Sequence, residues 1–161
     1  PVFNEIQVQV DVMVDHIGEN VTLWIGAWPD ANAGWWGIQD VYITASIAYP
    51  SPPAPPSPPG LWQNLGRDSW PGATGWESNR SMGENMCGNL GYLVGGYGVL
   101  GAGAHMEKTF NGLGVHNALR ITAKFFKIDQ WSNNRGQLFV DGGMAWQSEI
   151  YGSNGDYECG D

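Results

Sequence analysis

Ile6-Gln7-Val8-Gln9-Val10-Asp11-Val12-Met13-Val14-Asp15 alternates without a break, aliphatic at every even position. A period of two sends the five aliphatic side chains to one side of an extended chain and Gln7, Gln9, Asp11, Met13 and Asp15 to the other. This is the pattern of a long half-buried strand. The same texture continues outward from it. His16 to Asn20 reads as a turn, Val21-Thr22-Leu23-Trp24-Ile25 as a second strand, and Pro29 to Gly34 as a loop by its turn residues. Trp35 to Ala48 is again β-rich, through Ile38, Val41, Tyr42 and Ile43. Far along the chain Leu119, Ile121, Ala123 and Phe125 form one face of a further strand. After a loop from Asp129 to Gly136, Leu138-Phe139-Val140 returns, and Asp141-Gly142 is a strong hairpin signal leading into Met144-Ala145-Trp146. No stretch carries a helical period. The expected fold is all-β, a jelly-roll-like β-sandwich of two sheets.

Two segments break this texture. Pro50-Ser51-Pro52-Pro53-Ala54-Pro55-Pro56-Ser57-Pro58-Pro59-Gly60 holds seven of the ten prolines. Each fixes φ and removes an amide donor, which leaves neither helix nor inner strand. A polyproline II arm of about 30 Å is the expectation over 49–60. Residues 61–87 scatter Trp62, Trp70 and Trp76 among Gly, Asn, Ser and Pro. They read as an irregular extension, ordered only if its tryptophans are buried. Residues 88–104 hold seven glycines, suited to kinked strands and close backbone approach. The expected organisation is strands in 1–48, the arm in 49–60, the extension in 61–87 and the main part of the sandwich in 88–161.

Composition narrows the class. Of the 161 residues, charged ones make up 14%, against roughly 25% in an ordinary soluble domain, and 16 acidic against 7 basic residues leave a formal charge of −9. Phosphate binding needs clustered Lys and Arg, so nucleic acid is disfavoured, as is an anionic membrane surface. No run reaches the roughly 18 apolar residues of a membrane-spanning helix, so no membrane insertion is expected by that route. A chain beginning at Pro1 reads as a processed protein or a piece of a longer one. Cys87 and Cys159 are the two cysteines. Buried thiols and a disulfide are both open to them; with the two sequons below, the disulfide is favoured, adding about 4 kcal/mol on the chain-entropy account.

The candidate sites are those of an extracellular protein. Asn20-Val21-Thr22 and Asn79-Arg80-Ser81 are N-glycosylation sequons, both in turns or loops. The Ser-Pro-Pro and Ala-Pro-Pro units, with Pro52, Pro53, Pro55, Pro56, Pro58 and Pro59, have the composition of hydroxylated, O-glycosylated proline segments. An unmodified rigid linker is the plainer alternative. Gly96-Tyr97-Gly98-Val99-Leu100-Gly101 fits GxGxxG but lacks the following helix and acidic residue of a dinucleotide site. Asp129, Asn133, Asn134 and Asp141 are oxygen donors for a weak Ca²⁺ site, although such residues are also ordinary loop formers. No other cofactor is expected. Trp35, Trp36 and Trp131 sit beside loops, where they either stack on sugar rings or fill the core. No nucleophile motif or carboxylate pair stands out, so an enzyme is not expected.

Two stretches resemble a known family. Trp36-Gly37-Ile38-Gln39-Asp40-Val41-Tyr42-Ile43 is similar to a signature of extracellular β-sandwich modules repeated in large surface proteins of ciliates and algae. There it follows a strand like Val21–Leu23 and an Asp/Asn-rich loop. Phe125-Phe126-Lys127-Ile128-Asp129-Gln130-Trp131, with Val140-Asp141-Gly142 and Trp146, resembles a second segment of those modules, as do Gly95–Gly98 and Lys108–Phe110. With its proline arm the chain also resembles the protomers of glycoprotein fibrils from fresh water. The likeness implies a secreted structural subunit of a helical homopolymer, extracellular or at the cell surface, bearing attached glycans. A carbohydrate-binding module is the alternative. The family carries the second segment before the first, and this chain reverses them. Residues 1–48 of one protomer are therefore expected to complete the sandwich begun by 88–161 of a neighbour, the competing arrangement being a permuted module closed within one chain.

Overall fold

The computed structural model describes residues 5–28, 34–46 and 63–151. The proline arm and Cys159 lie outside them. Among the described residues eleven strands run as β1 (Ile6–Asp15), β2 (Asn20–Trp28), β3 (Trp35–Ser46), β4 (Gln63–Asp68), β5 (Glu77–Ser78), β6 (Glu84–Met86), β7 (Tyr92–Leu100), β8 (His105–Asn111), β9 (Ala118–Ile128), β10 (Arg135–Val140) and β11 (Gly143–Gln147). They form two antiparallel sheets, β1-β9-β3-β7-β6 with β4 also on β3, and β11-β10-β2-β8-β5. The sheets pack face to face as the expected sandwich. Within this one chain β1, β2 and β3 pair with β9, β10, β8 and β7, so these strands close within a single chain.

The alternation of β1 is realised on the edge of the first sheet, where Val10 is 2% exposed and Met13 70%. β9 sends Leu119, Ile121, Ala123 and Phe125 inward, and β2 sends Val21, Leu23, Ile25 and Ala27; all are buried. β3 needs a correction of phase. Trp36 and Ile38 point inward, yet so do Val41, Ile43 and Ala45, which an unbroken strand forbids. The ladder with β9 steps from Gln39↔Lys124 to Tyr42↔Thr122, so β3 carries one extra residue. Asp40 absorbs it at φ 53°, a backbone region that Asp tolerates, and its carboxylate accepts from Lys124 Nζ at 2.8 Å. At this bulge β3 also changes neighbour on its other side, from β7 to β4.

An aromatic stack fills the middle. Trp36 lies parallel to Phe125 at 5.6 Å; Phe125 meets Trp131 and Trp146, and Trp131 meets Tyr151. Gly136 makes the room, since a Cβ there would lie 2.7 Å from the Phe125 ring. Trp36 Nε1 has no hydrogen-bond partner, costing about 1–3 kcal/mol. Burying the indole returns about 4–6 kcal/mol as an upper figure, so apolar burial wins. The glycine-rich β7 is kinked as expected. Gly95, Gly96 and Gly98 all have positive φ, and a side chain on Gly95 would meet Trp36 O at 2.5 Å.

The expectation of an irregular 61–87 is corrected in part, for it contributes β4, β5 and β6. Its excursion between β4 and β5 is pinned by its tryptophans, Trp70 and Trp76, each 7% exposed. Asp68 Oδ2 accepts from Trp76 Nε1 at 2.8 Å and from Lys108 Nζ at 2.7 Å, while Lys108 Nζ also donates to Thr74 O. The ammonium sits over the Phe110 ring. Removing Asp68 leaves Trp76 Nε1 without its acceptor and the half-buried Lys108 ammonium without its counter-charge, still bonded to Thr74 O. Asp68→Ala is expected to cost about 3 kcal/mol, and the double variant with Lys108→Met to recover part of it; urea unfolding of the three proteins measures the coupling.

On the outer face of the first sheet Arg120 Nε and Nη2 grip Asp11 Oδ1 and Oδ2 at 2.8 and 2.6 Å, tying β1 to β9. The Arg120 hydrogen bonds hold the Asp11 carboxyl below its usual range. A depressed carboxyl stabilises the fold above its unfolded pKa, and that contribution disappears as pH falls through the folded value. The stability gap between the parent and Asp11→Asn should therefore be present at pH 7 and close toward acid. A gap constant from pH 7 to pH 2 would assign the effect to packing.

Candidate functional site

The second sheet turns a concave outer face to solvent. Because Val21, Leu23, Ile25 and Ala27 point inward, Thr22, Trp24 and Trp28 point outward from β2. The register sets Met144, Phe139, Trp24 and Glu107 abreast on β11, β10, β2 and β8, with Gln137, Gly26 and His105 in the next row and Arg135 beside Trp28 in the one after. Thr22, Trp24, Trp28, Glu107, Gln137, Phe139, Gly142 and Met144 line an open groove of about 540 Å³.

Trp24 leans across this floor. A Cβ on Gly26 would fall 2.6 Å from the Trp24 ring, so the ring edge lies over the glycine. His105 stacks on it at 5.2 Å and Phe139 meets it edge-on at 5.1 Å. Trp28 and Met144 are 56% and 54% exposed. Gln137, 6% exposed, lines the same groove, and its side-chain amide has no hydrogen-bond partner among the described residues. An amide both donates and accepts, and this one offers both functions to the groove.

At the end of the sandwich where β1, β3 and β10 finish, His16 and His116 stack with Nδ1 and Nε2 2.7 Å apart. His16 Nε2 faces Asp141 Oδ2 at 3.0 Å and Asn20 O at 3.1 Å; His116 Nδ1 faces Gly114 O at 2.6 Å. All the outer partners are acceptors, so His16 Nε2 and His116 Nδ1 face them as donors. The assembly joins three turns and is internally satisfied. Ile17 and Val115 beside it are 85% and 87% exposed.

Several expected site residues fall elsewhere. Trp36 and Trp131 are 0% and 2% exposed core residues, and Trp35 is half-buried against Tyr97. Trp36 and Trp131 offer no face to a sugar, so the stacking reading fails for these two. The Ca²⁺ grouping is also corrected. Asp129 and Asn133 are left-handed turn residues at one end of β10, with Asn134, 0% exposed, beside them. Asp141 lies at the other end, about 20 Å away along six strand residues, accepting from Thr22 N. Among the described residues no three His, Cys, Asp or Glu side chains gather as metal ligands. Cys87 is 1% exposed and disulfide-bonded. Pro52, Pro53, Pro55, Pro56, Pro58 and Pro59 lie outside the described residues. No protein-family profile, curated protein or solved structure matches the chain.

The two sequons differ in their surroundings. Asn20 is the exposed first residue of β2, the central strand of the second sheet. The Asn79 amide is built into the fold, with Nδ2 donating to Gly103 O and Oδ1 accepting from His105 N, both at 2.9 Å. Asn79→Gln is expected to lower stability by about 1 kcal/mol, and Asn20→Gln to stay within about 0.5 kcal/mol of the parent. Denaturant midpoints of the unglycosylated variants decide it.

Proposed function

We propose that this chain is a non-catalytic structural subunit of an extracellular glycosylated fibril, and that it assembles head-to-tail through its proline-rich arm. The observation that carries the reading is where the arm is inserted. β3 and β4 are antiparallel neighbours, with Ala45 opposite Gln63. The proline run lies between them in sequence, in a sandwich whose strands already pair within one chain. Seven prolines are not needed to join neighbouring strands, whereas a stiff spacer suits reach between bodies. β3, the last described strand before the run, ends at Ser46, whose O accepts from Asn117 N near the exposed Ile17 and Val115. A heterologous contact of this kind does not close on itself and generates filaments. Glycans on Asn20, Asn79 and hydroxylated arm prolines would supply the hydration that a surface poor in charge lacks.

The test replaces Pro50 to Pro59 by a Gly/Ser segment of equal length. Electron microscopy and sedimentation should show filaments for the native protein and single protomers for the variant, with the unfolding temperature unchanged. A variant that polymerises like the parent, or native material that stays monomeric at high concentration, overturns the reading.

A further inference from the structure

The geometry points to a second property, independent of assembly: the concave face around Trp24 is a binding site for a neutral, hydroxyl-rich glycan chain. Trp24 leans its ring edge over residue 26, where only a glycine leaves room for it. Trp24, partly exposed and stacked on one side by His105, and the more exposed Trp28 both line the groove, and the weakly positive C–H face of a pyranose complements the negative face of an indole. Trp28 stands four residues further along the same strand, about 13 Å away, and is the more exposed of the two. Two aromatic faces in line along β2 suit an extended chain of sugars better than a single ring.

The polar groups choose among occupants. The Gln137 side-chain amide lines the groove with no side-chain hydrogen bond to the described residues, so its donor and acceptor are both available there. Sugar hydroxyls are donors and acceptors at once and satisfy both ends. Glu107, abreast of Trp24 on β8, only accepts, so it takes hydroxyl hydrogens and repels anions. An acidic polysaccharide is further disfavoured by the net charge of −9. The chain's own proline run fits less well. Its prolines offer carbonyl acceptors and no N–H, which leaves both Glu107 and the Gln137 carbonyl facing acceptors. Met144 and Phe139 close the side of the groove toward β11 and supply apolar contact to the ring edge.

Calorimetric titration of the full chain with β-linked hexasaccharides of glucose, xylose and mannose, with an oligogalacturonate, and with a peptide spanning 49–60 tests the assignment. At least one neutral hexasaccharide should saturate, and the oligogalacturonate should not. Trp24→Ala and Gln137→Leu should each weaken that binding by about tenfold or more. Gly26→Ala, which keeps both tryptophans but lifts the Trp24 ring, should weaken it as well. Met13→Ala, on the outer face of the other sheet, should leave it unchanged. Unchanged amide spectra establish that each variant is folded. If no neutral hexasaccharide binds, or if binding survives in folded Trp24→Ala and Gln137→Leu, the assignment is wrong. Saturation by the 49–60 peptide alone would instead make the groove an arm-docking site. Loss of glycan binding would leave filament formation untouched, so the two proposals fail separately.

Discussion

The pairing of β3 with β9 is the constraint on which the rest depends. It is central to the first sheet, and it fixes Trp36 and Phe125 on one inner face so that their rings stack. Around that stack Trp131, Trp146 and Tyr151 take their places, and Gly136 on the opposite sheet is empty where the Phe125 ring needs space. Such a stack adds about 0.5–1.5 kcal/mol per aromatic pair beyond area burial, and it penalises any slip of register by sending every side chain to the wrong face. The bulge at Asp40 lets β3 keep hydrophobic residues inward on both sides of a change in partner. One extra residue therefore serves two ladders.

The same logic explains why the groove forms on the second sheet. β2 is buried on one face by an unbroken aliphatic series, so its outward positions are free of any packing duty. Trp24 and Trp28 occupy them without a covering layer. The first sheet presents a different outer face, where Cys87, Leu93, Phe126 and Ile128 form a small apolar cluster of their own beneath Trp35 and Leu90. That cluster covers part of the first sheet's outer face, whereas the groove on the second sheet stays open.

Much of this was legible in the sequence. The alternation of Ile6 to Asp15, the inward set of β9 and the Asp141-Gly142 turn all follow from period and turn chemistry. The open face was legible too, though overlooked: a tryptophan at position 24, between inward Leu23 and Ile25, has to point to solvent. The sequence reading instead picked tryptophans next to loops, and loop proximity says little about burial once a strand closes over them. Three features depended on contacts distant in sequence. The Asp40 bulge is visible only against β9. The Asp68–Lys108–Trp76 knot joins residues up to 40 positions apart. Lys127 continues the inward series of β9, and burial there holds its ammonium below the usual range, with Glu5 and Asp129 opposing that shift; the alternation alone would have placed a hydrophobic residue there.

A sandwich complete within one chain is the central claim, because both the spacer reading of the arm and the proposed glycan site assume a finished body. Amide hydrogen exchange on single protomers, followed over a wide dilution series, tests it most directly. The account predicts that β1, β2, β3 and β9 remain protected together, with exchange rates independent of protein concentration. Protection of residues 6–46 that fades on dilution, with β9 and β10 opening in step, would show that these strands are completed by a neighbour and would contradict the account.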